Sequence, residues 1–304
     1  MNKLIVILGP TATGKTSLAT KLAYSINGAI ISADSRQIYK NMDIGTGKDL
    51  SEYNVEGKKI PYHLIDIMNP NKDYSVYQFQ EDFNNAYNKI IKSKKYPVLC
   101  GGTGLYIESV LLNYNIPSVS PDYKLRKKLD KYDLKQLIEM LFNLDKTAYK
   151  ADFHITKRRV IRTIEVCKSS YANNKKNDKT AFDSTLIIGL NLQRETILKK
   201  IKIRLEERLN EGMIEEVESL LDNGLSLERL KYFGLEYKFI GQYLEKKLTY
   251  EEMKNKLNIA INRFSKRQMT FFRRMEKRQI KINWQSHNNI SKTLELYRNY
   301  FNGL

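Results

Sequence analysis

The chain of 304 residues is 41% hydrophobic and 28% charged, a balance that excludes a disordered or low-complexity protein. Lysine and arginine number 52 against 34 aspartates and glutamates, a net charge of +18 that favours polyanionic partners, nucleic acid first. The apolar run in MNKLIVILGP is too short for a signal peptide, and no stretch approaches the roughly 18 apolar residues of a membrane span, so a soluble, cytosolic protein with no membrane partner is expected.

Residues 4–8 form a short apolar run typical of a buried parallel strand. Residues 16–25 have helical spacing, with Leu18, Ala19, Leu22 and Ala23 on one face. Strands are expected at 29–32, 63–67 and 96–100, with a helix over 76–93 before the last of them. This βαβα alternation implies a parallel sheet covered on both faces. From 123 to 167 the chain reads as helical and basic, and NNKKND (173–178) as a polar loop. Residues 185–192 look like a return to the sheet. A single long amphipathic helix is expected over 195–221, closed by Asp-Asn-Gly with Gly224 as its cap. TYEE (249–252) has the capping-box pattern and opens a second long helix to about Met275; 280–284 reads as a last strand. The expected fold is α/β, a core of residues 1–115 and 185–304 interrupted by a helical insertion at 116–184.

Residues 9–16, GPTATGKT, fit G-x-x-x-x-G-K-[ST] between a strand and a helix, the context in which that motif binds phosphate. Gly9 and Gly14 permit a tight loop through Pro10, Thr11, Ala12 and Thr13 whose backbone N–H groups converge on an anion. Lys15 adds a full positive charge, and the Thr16 hydroxyl is a candidate ligand for Mg²⁺. The loop alone does not name the bond broken. A small-molecule kinase would need a second acidic metal site and an arginine-rich lid. The nearest acid is Asp66 in HLIDI, and no compact lid is evident.

The charge is not spread evenly, as a compositional bias would spread it. Residues 1–113 carry a net of only +3, whereas 124–162 and 263–281 each carry +7. Arg263, Lys266, Arg267, Arg273 and Arg274 form a stripe at helical spacing that repels itself unless an anion lies near, so RNA contact is expected there. Cys100 and Cys167 have no ligand-like spacing and read as small buried residues of a reducing compartment. His63, His154 and His287 likewise lack metal-ligand spacing, and Trp284 reads as core.

Five segments occur together and in order: GPTATGKT, ISADSRQIYKNMDIGTGK (31–48), HLIDI, GGTGLY (101–106) and KRQMTFFR (266–273). The set resembles the tRNA dimethylallyltransferases, also called tRNA isopentenyltransferases, from Gly9 to about Trp284. The resemblance implies a P-loop nucleoside-kinase-like core with a helical insertion that grips the tRNA anticodon stem-loop. It implies transfer of a dimethylallyl group from dimethylallyl diphosphate to N6 of the adenosine at position 37, in tRNAs reading codons that start with U, with Mg²⁺ required.

By the same resemblance the phosphate loop would hold the donor's diphosphate. Asp34 would be the general base on N6, with Thr103 beside the reacting centre and Ser35, Arg36 and Gln37 holding the target nucleotide. Arg126, Arg158, Arg159, Arg162, Lys231, Lys266, Arg267, Gln268, Thr270 and Arg273 would contact tRNA. Departures from the family pattern are Tyr62 in place of a first histidine, the altered segment 151–157, and YFGLEYK in place of a GYKE-like element. Tyr232, Phe271 and Phe272 are either stacking platforms for the base or core residues; Asp43 and Lys48 are expected to shape their loop. An enzyme acting on free adenine nucleotides, a small-molecule kinase and a non-catalytic P-loop RNA-binding protein are the competing readings. A monomer is the default expectation.

Overall fold

The computed structural model describes residues 2–148, 156–169 and 182–301; the loop 173–178, His154 and most of the divergent segment 151–157 lie outside that range. Eight strands are present among the described residues: β1 (Lys3–Leu8), β2 (Gly28–Ser32), β3 (Asn54–Val55), β4 (Lys58–Lys59), β5 (Tyr62–His63), β6 (Tyr96–Gly101), β7 (Ser184–Leu190) and β8 (Asn283–Gln285). β3 and β4 make a small antiparallel hairpin; the other six form one parallel sheet in the order β5-β2-β6-β1-β7-β8.

Alternate residues of the central strands enter different cores. Leu4, Val6 and Leu8 belong to one face with Ile31 and Leu99; Ile5 and Ile7 belong to the other with Ile30 and Val98. Both sets are fully buried, which is why these strands read as continuous apolar runs. Each such side chain contributes roughly 1.5–3 kcal/mol of burial energy. The expected strand at 63–67 is cut to Tyr62–His63, because Leu64 (φ 62°) and Asp66 (φ 57°) turn left-handed and end the pairing. The strand expected at 280–284 begins later, at Asn283, where the chain first pairs with β7.

Three α-helices and a short 3-10 turn (Leu50–Tyr53) precede the basic segment. α1 (Lys15–Ser25) starts at Gly14, whose φ of 80° suits glycine. α2 (Val76–Lys92) is closed at its start by a capping box between Ser75 and Gln78. α3 (Gly104–Leu111) starts after Thr103.

Asn115–Lys179 forms a compact unit of its own. It contains α4 (Tyr123–Leu129), α5 (Leu134–Leu144) and α6 (Lys157–Lys168), capped by Asp122, Asp133 and Thr156. Leu129, Leu137, Leu141, Val160, Ile161 and Ile164 make its core. Glu165 is buried beside that core and takes guanidinium hydrogen bonds from Arg126 (2.8 Å) and Arg162. Burial alone would raise its carboxyl, but the two arginines hold it down at about 2.

Back in the sheet-containing unit come α7 (Arg194–Asn210), α8 (Met213–Asp222), α9 (Leu227–Phe233), α10 (Leu235–Leu244), α11 (Tyr250–Lys277) and α12 (Ile290–Phe301). The single helix expected over 195–221 is therefore two. Gly212, at φ 100°, breaks the ladder between α7 and α8. The capping box at Thr249 and Glu252 opens α11, and Gly224 (φ 86°) follows the end of α8. Cys100 is buried, but Cys167 is exposed on α6, against expectation. Among the described residues no helix is long and apolar enough to cross a membrane.

Candidate active site

The phosphate loop joins β1 to α1 at the carboxyl edge of the sheet, where ligands of open α/β sheets bind. Thr13 Oγ1 donates to the Pro10 carbonyl at 2.8 Å, and Lys15 Nζ reaches the same oxygen at 2.6 Å. No side chain caps α1, so the first N–H groups of the helix remain available to an anion. Burial in the cavity wall pushes the Lys15 ammonium down to about 8.

A cavity of about 520 Å³ opens beside this loop, lined by Thr11, Lys15 and Thr16. Asp34, Ser35, Arg36 and Gln37 line it from the end of β2, and Gly102, Thr103 and Gly104 from the end of β6. The segment that carries an acid, a hydroxyl, a base and an amide in a row thus faces the phosphate loop across one cavity. Asp34 Oδ1 accepts the Arg36 backbone N–H at 2.8 Å, which orients the carboxylate and leaves Oδ2 for another donor. Thr103 Oγ1 accepts the Ser35 N–H at 3.0 Å and donates to Ser35 Oγ at 3.4 Å, tying the two loops together. Thr16 faces the same cavity, and a hydroxyl there fits Mg²⁺, which prefers oxygen ligands and takes most of them from phosphate and water.

Several expected contacts take other roles. Gln37 Nε2 donates to the Gly47 carbonyl at 2.8 Å and so braces its own loop, though the residue still lines the cavity. Gln268, expected on the RNA path, is buried and joins two loops: it accepts the Thr11 N–H at 2.8 Å and donates to the Gly102 carbonyl at 3.0 Å. Lys231 lies outside the cavity lining and pairs with Glu228 at 2.7 Å. Arg126 and Arg162 are committed to Glu165 as described above, whereas Arg158 and Arg159 are exposed.

The basic stripe of α11 divides in the same way. Arg263, Lys266, Arg267 and Arg273 are exposed, with Arg267 at the cavity and Thr270 donating back to the Lys266 carbonyl. Arg274, by contrast, pairs at 2.8 Å with Glu108, a fully buried carboxylate. Phe271 lies against Gly104 in the cavity wall, while Phe272 is core against Trp284. The guanidinium groups of Arg36 (5.2 Å) and Arg229 (4.5 Å) both lie over the Tyr232 ring.

Lys48 shapes its loop, as expected. Its buried ammonium holds the Tyr39 carbonyl at 2.6 Å, Asp43 at 2.7 Å, and Asp66. Asp66, the nearest acid for a second metal site, is thereby engaged by an ammonium. Glu216 receives the backbone N–H groups of Asp43, Ile44 and Gly45, so α8 clamps the same loop from outside.

Arg204 and Arg208 line the cavity although nothing in the sequence singled them out, and the acid Glu236, from the KYFGLE segment (231–236), lines it beside them. Arg204 and Arg208 lie four apart on α7, on one helical face, and both approach Asp49, at 2.5 and 3.7 Å. Burial raises Glu236 and lowers Arg208 from their ordinary values. Cys100, also in the wall, is pushed up to about 12 by burial.

Comparison with known proteins gives concordant results. A family model described as IPP transferase matches residues 37–275, and one described as isopentenyl transferase matches residues 2–63. The chain is 49% identical to tRNA dimethylallyltransferase 1 of Azobacteroides pseudotrichonymphae, over 93% of this chain and 92% of that protein. It is 48% identical to tRNA dimethylallyltransferase 2 of Phocaeicola vulgatus, over 92% and 91%. The crystal structure of tRNA isopentenylpyrophosphate transferase from Bacillus halodurans superposes with a TM-score of 0.71 at 31% identity, covering 100% of this chain and 96% of that one.

Proposed function

The chain belongs to the IPP transferase family, and from that premise we propose that it transfers a dimethylallyl group from dimethylallyl diphosphate to N6 of adenosine 37 in tRNAs that read codons starting with U. The product is N6-isopentenyladenosine, and the anticodon stem-loop is the part of the RNA engaged. The observation that carries the reading is the shared cavity: Lys15 and Thr16 on one side, Asp34 and Thr103 on the other.

The chemistry follows from those groups. The N6 lone pair attacks C1 of the dimethylallyl group, and the C1–O bond breaks with its electron pair leaving on the diphosphate. The nitrogen becomes cationic and passes its proton to the Asp34 carboxylate, a general-base step worth typically 10²–10⁴-fold. Lys15 and the N–H groups at the start of α1 stabilise the charge growing on the leaving group. The Thr103 hydroxyl, already anchored to Ser35, holds the reacting side of the cavity in place. Mg²⁺ held by Thr16 would add further neutralisation of the diphosphate. To reach this cavity the adenosine must leave its stack, and Phe271 offers an apolar wall for it. The exposed cations of α11 supply phosphate contacts for the RNA.

The test is direct. Purified protein is incubated with labelled dimethylallyl diphosphate, Mg²⁺, and either an anticodon stem-loop or AMP. Label in the RNA supports the proposal. Label in AMP alone would make this a free-nucleotide enzyme, and phosphoryl transfer from ATP without prenylation would make it a kinase.

A further inference from the structure

Arg208 is the least explained cation in the cavity. Its Nη2 is buried without a hydrogen-bond partner, and its ion-pair neighbour Asp49 stands 3.7 Å away. That carboxylate is already shared with Arg204 at 2.5 Å. A buried guanidinium nitrogen left without a partner is costly, so its retention points to a ligand that completes it.

The charge of the cavity points the same way. Lys15, Arg36, Arg204, Arg208 and Arg267 line it, against the acids Asp34 and Glu236. Burial has already lowered Arg208 and, next in importance, the neighbouring Arg204 cation repels it. Asp49 and Glu236 oppose these effects only in part, since Arg208 stays lowered, and a polyanion beside it would oppose both.

Gly47 is the second observation. A Cβ there would overlap Arg208 Nη2 outright and lie 2.7 Å from Arg204 Nη2. The loop that runs from Asp34 to Lys48 therefore presents bare backbone where the two guanidinium groups must pass. Any side chain at position 47 would push Arg208 out of its place.

We propose that Arg208 is a further donor-binding residue, one that holds the diphosphate together with Arg204 and is admitted to the cavity by Gly47. The inference rests on the reading of this cavity as the prenyl-diphosphate site. Arg208 presents its N–H groups to the diphosphate oxygens and balances the charge released when the C1–O bond breaks.

The experiment measures the Kd of inorganic diphosphate, the KM of dimethylallyl diphosphate, the Kd of the stem-loop and the Tm for wild type, K15M, R208M, R208K, G47A and the G47A/R208M double variant. R208M should weaken diphosphate binding by at least ~10-fold, the loss typical of a charge-assisted hydrogen bond. The KM should rise in parallel while stem-loop affinity stays at the wild-type value, and R208K should recover part of the loss. G47A should show the same defect, and the double variant should be no worse than R208M alone. If K15M weakens diphosphate binding and R208M leaves it unchanged, whatever happens to Tm, Arg208 is a strut and the inference is overturned while the donor site stands. If K15M leaves it unchanged, the donor-site reading falls and takes this inference with it.

Discussion

Gln268 accepts the backbone N–H of Thr11 at 2.8 Å, joining the 28-residue helix α11 to the phosphate loop. Its amide nitrogen holds the Gly102 carbonyl at the same time. The helix that carries the exposed cations is thus bonded to both loops of the reaction cavity. Gln268→Ala leaves two backbone groups without partners, each costing about 1–3 kcal/mol if it stays buried. The expected outcome is a lower Tm and a reduced single-turnover prenylation rate with stem-loop affinity retained. Equal loss of affinity and rate would place Gln268 on the RNA instead.

Asp34→Ala should keep stem-loop and diphosphate binding and lose at least ~10²-fold in turnover, the lower end of general-base assistance. Single-turnover kinetics with saturating stem-loop make the check. An unchanged rate would remove Asp34 as the proton acceptor.

Lys15 gives a pH signature. Its ammonium is lowered to about 8 in the free cavity, by burial first. At pH 8 much of it is neutral, while an anion beside it favours the charged form. Binding of inorganic diphosphate at pH 8 should therefore take up protons, and the uptake should shrink as pH falls toward 6.5. Calorimetry in two buffers of different ionisation enthalpy measures it, and K15M should abolish it.

Glu165 gives a stability signature in the basic helical unit. Its carboxyl is held at about 2, below its ordinary 4.5, by Arg126 and Arg162. A depressed carboxylate stabilises the fold above 4.5, and this contribution disappears as pH falls from there toward 2. Glu165→Gln removes the charge from a buried carboxyl whose two arginines are about a third exposed and can turn to water, a loss of about 1–3 kcal/mol. Hydrogen exchange of the α6 amides at neutral pH should accelerate in the variant, and the gap to wild type should close in acid.

Lys266→Ala with Arg267→Ala should weaken stem-loop binding and flatten its dependence on salt, because each phosphate contact releases counterions. Titration at several salt concentrations reads the slope. A slope equal to that of wild type would show that these side chains touch no phosphate.

Much of this was legible in the sequence because its signals are local. The phosphate loop lies within eight residues, and the buried strands announce themselves as apolar runs. The capping box at Thr249 fixes the start of α11 without reference to the rest of the fold. What escaped depends on distant partners. Arg204 and Arg208 look like any solvated pair on a charged helix until the 43–49 loop is folded over them. Arg126, Arg162 and Arg274 look like RNA contacts, and only the buried acids Glu165 and Glu108 reveal that their charge is taken. The break at Gly212 was missed because apolar spacing continues through it on both sides.

The Lys48 ammonium has a consequence for how this gene can change. It closes a ring from Tyr39 through Asp43 to Asp66, so the count of residues between those anchors is set by one side chain's reach. Insertions or deletions between Tyr39 and Lys48 should be rejected in any library selected for activity. The β3–β4 hairpin, with Gly57 at its open tip, should accept them. Length, more than residue identity, is the inherited quantity on one side of the short 3-10 turn Leu50–Tyr53 and a free variable on the other.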